Sequence, residues 1–385
     1  MWRALTSRIT LFTKNHMKPK VVNYPIPGNP TGGILHIYGE PATKQDIILY
    51  CGGFPDGLEP ISNLAERLAT TRSDGQIRGC YVGVTCFPGF DYETFNEQKF
   101  TGFKKSGFTF DEVTCCVRDA ADLLFQEHTK SSGSSSADED NKTTFTLVTH
   151  DWGALIGHLF INRAIEERSF TQHKPDRLVM LDVLLSPNPQ SNYKEVLRGS
   201  EVSKPTARDH LLSMSYRTAF AISFAMLQYI SETVALITMG ILSTIVFKIL
   251  KLSPLMHVDQ EHMKKCAKEP KHFLYMMYPY YHMFREVSKG SANVFSASML
   301  PVDLKETPIL YIYGAKKNVM FHDNRSVALL EWEEKEGLSE SRVVRLEESG
   351  HWMYCQEPEV CENEIRKFLR SGSEASSSNK QQSRL

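Results

Sequence analysis

Short apolar runs alternate with longer amphipathic segments along most of the chain, from about residue 34 to residue 370. Apolar and β-branched runs predict buried strands, whereas apolar residues three and four positions apart predict helices. Strands are expected at 46–50, 79–85, 143–148, 178–183, 308–313 and 342–346, and helices at 111–128 and 326–335. This pattern predicts an α/β fold with a mostly parallel sheet flanked by helices.

The strand pattern stops at Pro187 and returns near Pro301, and the sequence between them is helical in pattern and rich in aromatic residues. We therefore predict an inserted helical cap. Within 218–247 the only charged residue is Glu232, and 234–247 is a mostly apolar run without a charged residue. That run is shorter than the roughly 20 residues of a membrane-spanning helix, so a buried cap helix is the first interpretation. The alternative is peripheral membrane contact through 218–250.

The predicted organisation has a basic N-terminal segment, a core in two parts, the cap and a tail. The bounds are 1–20 for the N-terminal segment, 21–187 for the first part of the core with a low-complexity loop at 130–142, 188–301 for the cap, 302–370 for the second part of the core, and 371–385 for a disordered tail. The first 39 residues contain no acidic residue. This start resembles an organelle transit peptide, and a frayed basic end is the alternative.

Composition narrows the classes of function. The 44 basic and 45 acidic residues nearly cancel, which argues against a general nucleic-acid interface. Eight cysteines are scattered without a CxxC pair or Cys/His ligand spacing, so neither a metal site nor a disulfide framework is expected. Free thiols are typical of a reducing compartment. We expect a cytoplasmic protein, with a mitochondrial or membrane-associated location as the alternatives; the sequence leaves the oligomeric state open.

The segment THDWGALIGH, residues 149–158, follows a β-branched run and leads into a helical pattern. A strand that turns sharply into a helix lifts one side chain above the sheet, and such an elbow normally carries a nucleophile. Here that position is Asp151. Capping of the following helix is the structural alternative, because aspartate is a good N-cap.

The order of motifs resembles the α/β-hydrolase fold, and most closely its epoxide hydrolase and haloalkane dehalogenase branch. GGFP at 52–55 matches the family's oxyanion turn HGFP, HDWG carries the aspartate nucleophile, and GHW carries the histidine. The resemblance covers about residues 21–370. It implies Asp151 as nucleophile, His351 as general base, and backbone N–H groups of Phe54 and Trp152 as oxyanion donors. Gly52 and Thr149 depart from the family's histidine and glycine.

The chemistry of these residue types supports the same reading. An aspartate with a pKa near 3.9 is ionised at neutral pH, so it attacks a saturated carbon without a base. The product is an ester of Asp151. His351 then activates water to hydrolyse that ester, while the two N–H groups stabilise the oxyanion. Carboxylate, imidazole and water suffice, so no cofactor is expected.

The third catalytic member departs from the family pattern. The family's acid, in a G-x-x-D arrangement after the strand ending at Gly314, is replaced by Lys317. A lysine cannot stabilise an imidazolium, since both groups are cationic. Some members of the branch place the acid after the preceding core strand, where Asp182 lies. Asp182 is therefore our candidate, and Asp323 is its rival, although a helix cap accounts for Asp323 better.

Epoxide opening produces an alkoxide, which needs a proton donor opposite Asp151. In epoxide hydrolases cap tyrosines supply it, and YPYYHMFRE resembles that motif, with Tyr281 aligning best and Tyr216 as a second candidate. A dehalogenase commonly has an asparagine where Phe54 stands, so epoxide hydrolysis is favoured. The alternatives are a dehalogenase-like hydrolase and a binding protein that has lost turnover. The apolar cap suggests a hydrophobic small-molecule substrate.

Overall fold

The computed structural model describes residues 17–42, 45–71, 79–91, 103–132, 143–185, 206–266, 269–290, 307–320, 322 and 324–382. Most of the predicted N-terminal segment, most of the low-complexity loop and the first part of the cap lie outside these ranges. Asp323 also lies outside them, so its predicted role is not tested.

One eight-stranded sheet organises the described residues, in the order β1-β2-β4-β3-β5-β6-β7-β8. Strands β3 to β8 run parallel, whereas β1 pairs antiparallel with β2 and β2 pairs antiparallel with β4. The strands are β1 Lys20–Ile26, β2 Asn29–Tyr38, β3 Ile47–Cys51, β4 Tyr81–Thr85, β5 Phe145–His150, β6 Arg177–Leu181, β7 Ile309–Gly314 and β8 Arg342–Leu346.

Helices connect and cover these strands. They are α1 Glu59–Ala69, α2 Phe110–Ser132, α3 Trp152–Glu166, α4 Ala207–Tyr229, α5 Glu232–Ser243, α6 Gln260–Cys266, α7 Pro270–Tyr275, α8 Tyr278–Ser288, α9 Asn324–Lys335, α10 Met353–Gln356 and α11 Pro358–Gln382. A π-helical segment, Thr244–Ile249, continues α5, and a 3-10 turn, His257–Asp259, precedes α6.

The two faces of the sheet are buried by different helices. Residues of α1 and α11 cover one face, and residues of α2, α3 and α9 pack on the other, where the aromatic core continues into the cap. All side chains of β3, β4, β5, β6 and β7 are buried, as expected for parallel strands covered on both sides. The α/β prediction and the mostly parallel sheet are confirmed.

The cap is inserted between β6 and β7, and its described part is built from α4 to α8. Insertion at this point places the cap above the carboxyl ends of the parallel strands. Loops that leave those ends are where ligands bind in open α/β sheets. The topology therefore aims the residues after β3, β5, β6, β7 and β8 at the underside of the cap.

Three expectations about the ends and the cap were wrong. The strand pattern begins earlier than residue 34, because the edge strand β1 buries few of its side chains and so lacks a strong apolar signal. The tail predicted to be disordered from 371 instead continues α11 to Gln382. Once buried residues have started a helix, each added residue costs little to include. The third correction concerns α5.

The apolar segment of α5 and its π-helical continuation is not buried. Glu232–Ile249 is long and apolar enough to cross a membrane by length and composition, yet only 11% of these residues are buried. The first interpretation, a buried cap helix, is therefore wrong for this segment. Apolar composition alone does not show whether a helix packs against the protein or lies on its surface.

Candidate active site

Asp151 stands at the elbow between β5 and α3. Its backbone has φ 51° and ψ −123°, a conformation that non-glycine residues rarely adopt. Although Asp151 occupies the N-cap position of α3, its side chain makes no capping hydrogen bond. Its Oδ1 instead accepts a hydrogen bond of 2.8 Å from the backbone N–H of Phe54, and the backbone N–H of Trp152 also acts on this carboxylate. Capping therefore does not explain this residue.

Gly53 permits the close approach of the oxyanion turn to the elbow. A Cβ at this position would lie 2.5 Å from the backbone nitrogen of Trp152 and 2.7 Å from Oδ1 of Asp151. Any side chain would push the turn away and pull the N–H of Phe54 out of hydrogen-bonding range. Position 53 must therefore be glycine, because the oxyanion turn and the elbow at Asp151 lie too close together for a side chain.

The departure at Thr149 is accommodated by a neighbouring glycine. A Cβ on Gly157 would lie 2.6 Å from Cγ2 of Thr149. The side chain of Thr149 on β5 therefore occupies the space that a side chain at position 157 of α3 would need. The exchange preserves the packing of α3 on the strand.

His351 lies between two carboxylates. Its Nδ1 is hydrogen-bonded to Oδ2 of Asp182, and its Nε2 is 3.6 Å from Oδ2 of Asp151. Asp182, directly after β6, has a positive φ of 67° and is fully buried. The structure thus brings together the nucleophile, the imidazole and the orienting acid that were proposed from the sequence.

Lys317 has a role that the sequence did not reveal. Its Nζ forms an ion pair with Oδ1 of Asp182, and both side chains are fully buried. The lysine therefore binds the acid and not the imidazole. Oδ1 of Asp182 pairs with Lys317, and Oδ2 is bonded to Nδ1 of His351. The lysine at position 317 therefore places a cation beside Asp182.

The charges of this group set their pKa values. Burial raises the pKa of Asp182, but the charges of Lys317 and His351 outweigh it and hold the pKa well below its usual range. Burial likewise lowers the pKa of His351, but the charges of Asp182 and Asp151 raise it to about 9. The resting site at neutral pH therefore holds His351 as an imidazolium beside ionised Asp182.

Asp151 shows the opposite balance. Burial raises its pKa above the ordinary value, and the charge of His351 together with the backbone N–H groups offsets only part of that rise. A carboxylate that is poorly compensated by its surroundings is less stabilised as an anion. The surroundings therefore favour the anion of Asp182 much more strongly than that of Asp151.

A second buried carboxylate, Asp56, ties the site to its surroundings. It accepts hydrogen bonds of 2.7 Å from Nε1 of Trp352 and from the hydroxyl of Tyr354, and contacts Nδ1 of His150 at 2.7 Å and Nε2 of His262 at 3.2 Å. Burial raises its pKa, but the two histidines outweigh it and hold the pKa well below its usual range. His262 belongs to α6, so this carboxylate links cap and core.

His150, Asp182 and His351 also place ligand-type atoms within 4.8 Å of one another. However, Nδ1 of His150 contacts Asp56 and its Nε2 lies 3.0 Å from the carbonyl oxygen of His351. Nδ1 of His351 is bonded to Asp182. A metal ion would have to displace these hydrogen bonds, which already account for the arrangement.

The cap places aromatic side chains over Asp151, and Tyr281, the tyrosine favoured from the sequence, is not among those that line the cavity. Tyr280 and Tyr216 line the same cavity as Asp151 and His351, but Tyr281 does not. The hydroxyl of Tyr281 instead lies 2.8 Å from that of Tyr229. Neighbouring residues on a helix point about 100° apart, so the sequence YPYY cannot show which tyrosine faces the cavity.

The two cavity tyrosines are close to each other and to charged groups. Their ring centroids are 5.9 Å apart, and the ring of Tyr280 lies 5.2 Å from that of Trp152. Burial raises the pKa of both hydroxyls, with further contributions from Asp151. Nε of Arg217 donates a hydrogen bond of 3.2 Å to the Tyr216 hydroxyl, which favours its ionised form.

The cavity has a volume of about 270 Å³. Asp151 and His351 form its floor, and most other lining groups are apolar, including Phe220, Phe247 and Met263. Phe54 packs by its ring against aromatic neighbours at this site, with centroids 5.1 Å from those of Phe273 and Tyr280. Its side chain therefore offers no hydrogen-bond donor where a dehalogenase commonly has asparagine.

Comparison with known proteins was made on sequence and on structure. No protein-family model and no curated protein sequence matches this chain significantly. A loop variant of haloalkane dehalogenase from Bradyrhizobium elkanii is similar in structure, with a TM-score of 0.54, 14% identity and coverage of 94% of this chain and 99% of that one. A mutant of potato epoxide hydrolase has a TM-score of 0.53, 16% identity and coverage of 92% and 100%. Strand order, inserted cap and these similarities together show that the chain has the α/β-hydrolase fold.

Proposed function

We propose that the protein hydrolyses epoxides of hydrophobic molecules to diols through an ester of Asp151. One observation carries the proposal. The residues Asp151, His351, Tyr216 and Tyr280 all line one cavity. A nucleophile on the floor and hydroxyl donors on the roof suit a strained ring, whose carbon is attacked while its oxygen takes up a proton.

In the first step Oδ2 of Asp151 attacks an epoxide carbon, because Oδ1 is held by the N–H of Phe54. The carbon–oxygen bond of the ring breaks, and the oxygen leaves with the bonding pair. It takes a proton from Tyr280 or Tyr216. Arg217, which donates to the Tyr216 hydroxyl, stabilises the resulting phenolate. The product is a hydroxyalkyl ester of Asp151.

In the second step water attacks the ester carbonyl carbon. The negative charge of Asp151 vanishes when the ester forms, and that charge is one of the contributions that raise the pKa of His351. The pKa of the imidazole therefore falls at the step that needs a neutral base. The oxyanion that develops on Oδ1 accepts hydrogen bonds from the backbone N–H groups of Phe54 and Trp152. After releasing its proton to solvent, the neutral imidazole of His351 takes a proton from the attacking water and passes it to the departing alkoxide oxygen as the tetrahedral intermediate collapses. The diol leaves, and the carboxylic proton left on Asp151 returns to the tyrosine phenolate.

Two features support this reaction over its alternatives. The apolar side chain of Phe54 and the paired cavity tyrosines favour epoxide opening over halide release. The intact geometry of Asp151, His351 and Asp182 favours an enzyme over a binding protein that has lost turnover. The aromatic lining and limited volume of the cavity support a small hydrophobic substrate.

The test is to trap the ester. In His351→Gln the imidazole that activates water is lost while the nucleophile remains, so incubation with a terminal aryl epoxide should add the whole mass of the epoxide to the chain. Peptide mapping should place the adduct on Asp151, and Asp151→Asn should prevent it. A haloalkane would instead add its alkyl group with loss of halide. Absence of any adduct across a panel of hydrophobic epoxides, with the variant folded, would refute the proposal.

A further inference from the structure

The cap carries a concentration of exposed apolar side chains. Ten of the sixteen exposed large hydrophobic residues in the described part of the chain lie between 211 and 250: Leu211, Met214, Ile222, Tyr229, Ile230, Ile237, Ile241, Ile245, Ile249 and Leu250. Single exposed apolar residues are normal on a protein surface, but a contiguous group marks an interaction site. The concentration therefore points to a partner that covers this side of the cap.

Four isoleucines form the centre of this surface, which we name the cap stripe. Ile237, Ile241, Ile245 and Ile249 are 58%, 54%, 38% and 66% exposed. Their four-residue spacing places them along one side of a helical segment roughly 25 Å long. The row itself runs from Ile237 to Ile249, at most about 18 Å at 1.5 Å per residue. An apolar face of this kind is what a helix lying in the plane of a lipid surface buries at the headgroup boundary.

The opposite side of the same segment belongs to the protein. Ala235 and Val246 are buried, and Phe247 lines the catalytic cavity. The segment is therefore a wall with the cavity on one side and the cap stripe on the other. A helix held in this way cannot also be surrounded by lipid, which argues against a spanning segment.

Charge distinguishes a lipid surface from a second copy of the chain. Glu232, the only acid in the segment, is paired with Lys271 at 3.2 Å and accepts from the Tyr275 hydroxyl at 3.1 Å. At the other end Lys248 and Lys251 are exposed, and neither forms an ion pair with a described residue. A second copy would present no free acid along its own stripe, whereas anionic headgroups would complement both lysines.

We infer that the cap stripe docks the protein onto anionic lipid membranes. The residues that follow the segment, 253–256, also line the cavity. Docking therefore sets the cavity wall against the lipid phase, where hydrophobic molecules are concentrated. This inference stands on exposure, spacing and charge, and does not depend on the reaction that the cavity catalyses.

Sedimentation of the full-length chain with lipid vesicles tests the inference. We expect binding to vesicles that contain phosphatidylserine, weaker binding to phosphatidylcholine alone, and release by salt. Ile241→Glu with Ile245→Glu should reduce binding to background. Lys248→Gln with Lys251→Gln should weaken binding to phosphatidylserine vesicles about 30-fold, since each lysine near the surface contributes about 1 kcal/mol, with little effect on phosphatidylcholine.

The matched control is Leu338→Glu, another exposed apolar residue, 39% exposed in the loop between α9 and β8. It should bind like the unmodified chain, and all variants should unfold at similar temperatures because the changed positions are exposed. Failure of the unmodified chain to bind either vesicle would overturn the inference. A stripe variant that converts a dimer to a monomer without affecting sedimentation with vesicles would also overturn it. So would a vesicle-bound chain that salt does not release and only detergent extracts, because that would indicate a spanning segment.

Discussion

The floor and the roof of the cavity are built by different means. The floor consists of residues at the ends of parallel strands, so the sheet fixes Asp151, Asp182 and His351 within hydrogen-bonding or ion-pairing distance. The roof consists of aromatic side chains from α4 and α8, positioned by packing of one ring on another. The position of the floor groups therefore depends on the order of the strands, whereas the position of the roof groups depends on how neighbouring rings pack.

The largest expected effect concerns the floor. Asp151→Asn removes the proposed nucleophile, and turnover of an epoxide should fall by a factor on the order of 10⁴ or more. Burial raises the pKa of this carboxyl, so an uncharged amide should leave the unfolding temperature unchanged or higher. Steady-state kinetics and thermal unfolding measure both results. Retained turnover in Asp151→Asn would show that the floor of the cavity does not carry the reaction.

The roof should respond selectively. Tyr280→Phe should lower kcat on epoxides by about 10²–10⁴-fold, because the alkoxide loses a general acid. Tyr216→Phe should also lower kcat, because Tyr216 is the other candidate donor and Arg217 favours its ionised form. Tyr281→Phe is the matched control, since its hydroxyl bonds to Tyr229 outside the cavity, and should change kcat by no more than about twofold.

Equal losses in Tyr280→Phe and Tyr281→Phe would show that the variants disturb packing and not proton donation. A comparison with a haloalkane sharpens the result. Halide leaves without a proton, so loss of the Tyr280 hydroxyl should spare halide release even in an enzyme that catalyses both reactions.

The smallest expected effect on rate concerns Lys317, which lies beneath the floor. Its removal in Lys317→Met leaves Asp182 with His351 as its main ionic partner, so the imidazolium becomes more favoured and the pKa of His351 rises. Water activation needs the neutral imidazole. The rising limb of the kcat profile should therefore move to higher pH, with little loss at its plateau.

Stability should report the same ion pair. Breaking a buried pair costs about 3–5 kcal/mol, and the remaining contact with His351 favours the lower end of that range. The control is Lys316→Met, since Lys316 is partly exposed and pairs with the exposed Glu348. A pH profile that stays in place for Lys317→Met would show that the lysine is structural only.

Sequence reasoning succeeded where strand ends decide position. The order of turn, elbow and histidine was enough to propose Phe54, Trp152, Asp151 and His351, and the sheet brings them together. Asp182 was proposed from its place after β6. The partner of Lys317 was missed, because pairing between residues 182 and 317 depends on the neighbouring positions of β6 and β7. The sequence shows that a lysine at position 317 cannot act as the acid, but it does not show that this lysine pairs with Asp182.

Sequence reasoning failed where helix rotation and packing decide position. Tyr280 and Tyr281 are adjacent and chemically identical, so only the rotation of α8 distinguishes them. Asp56 was overlooked although it follows the oxyanion turn directly, since its four partners come from distant parts of the chain. The side of α5 that faces outward also depends on packing against α4, which apolar composition does not encode.

Asp56 has a consequence for how the protein reaches its working form. It gathers His150 from the middle of the chain, His262 from the cap, and Trp352 and Tyr354 from near the carboxyl end. A ribosome must therefore release most of the polypeptide before this carboxylate acquires its full set of partners. A product truncated before residue 341 would keep His150, His262 and Lys317 as partners of the two carboxylates, but would lack Trp352 and Tyr354 beside Asp56 and His351 beside Asp182.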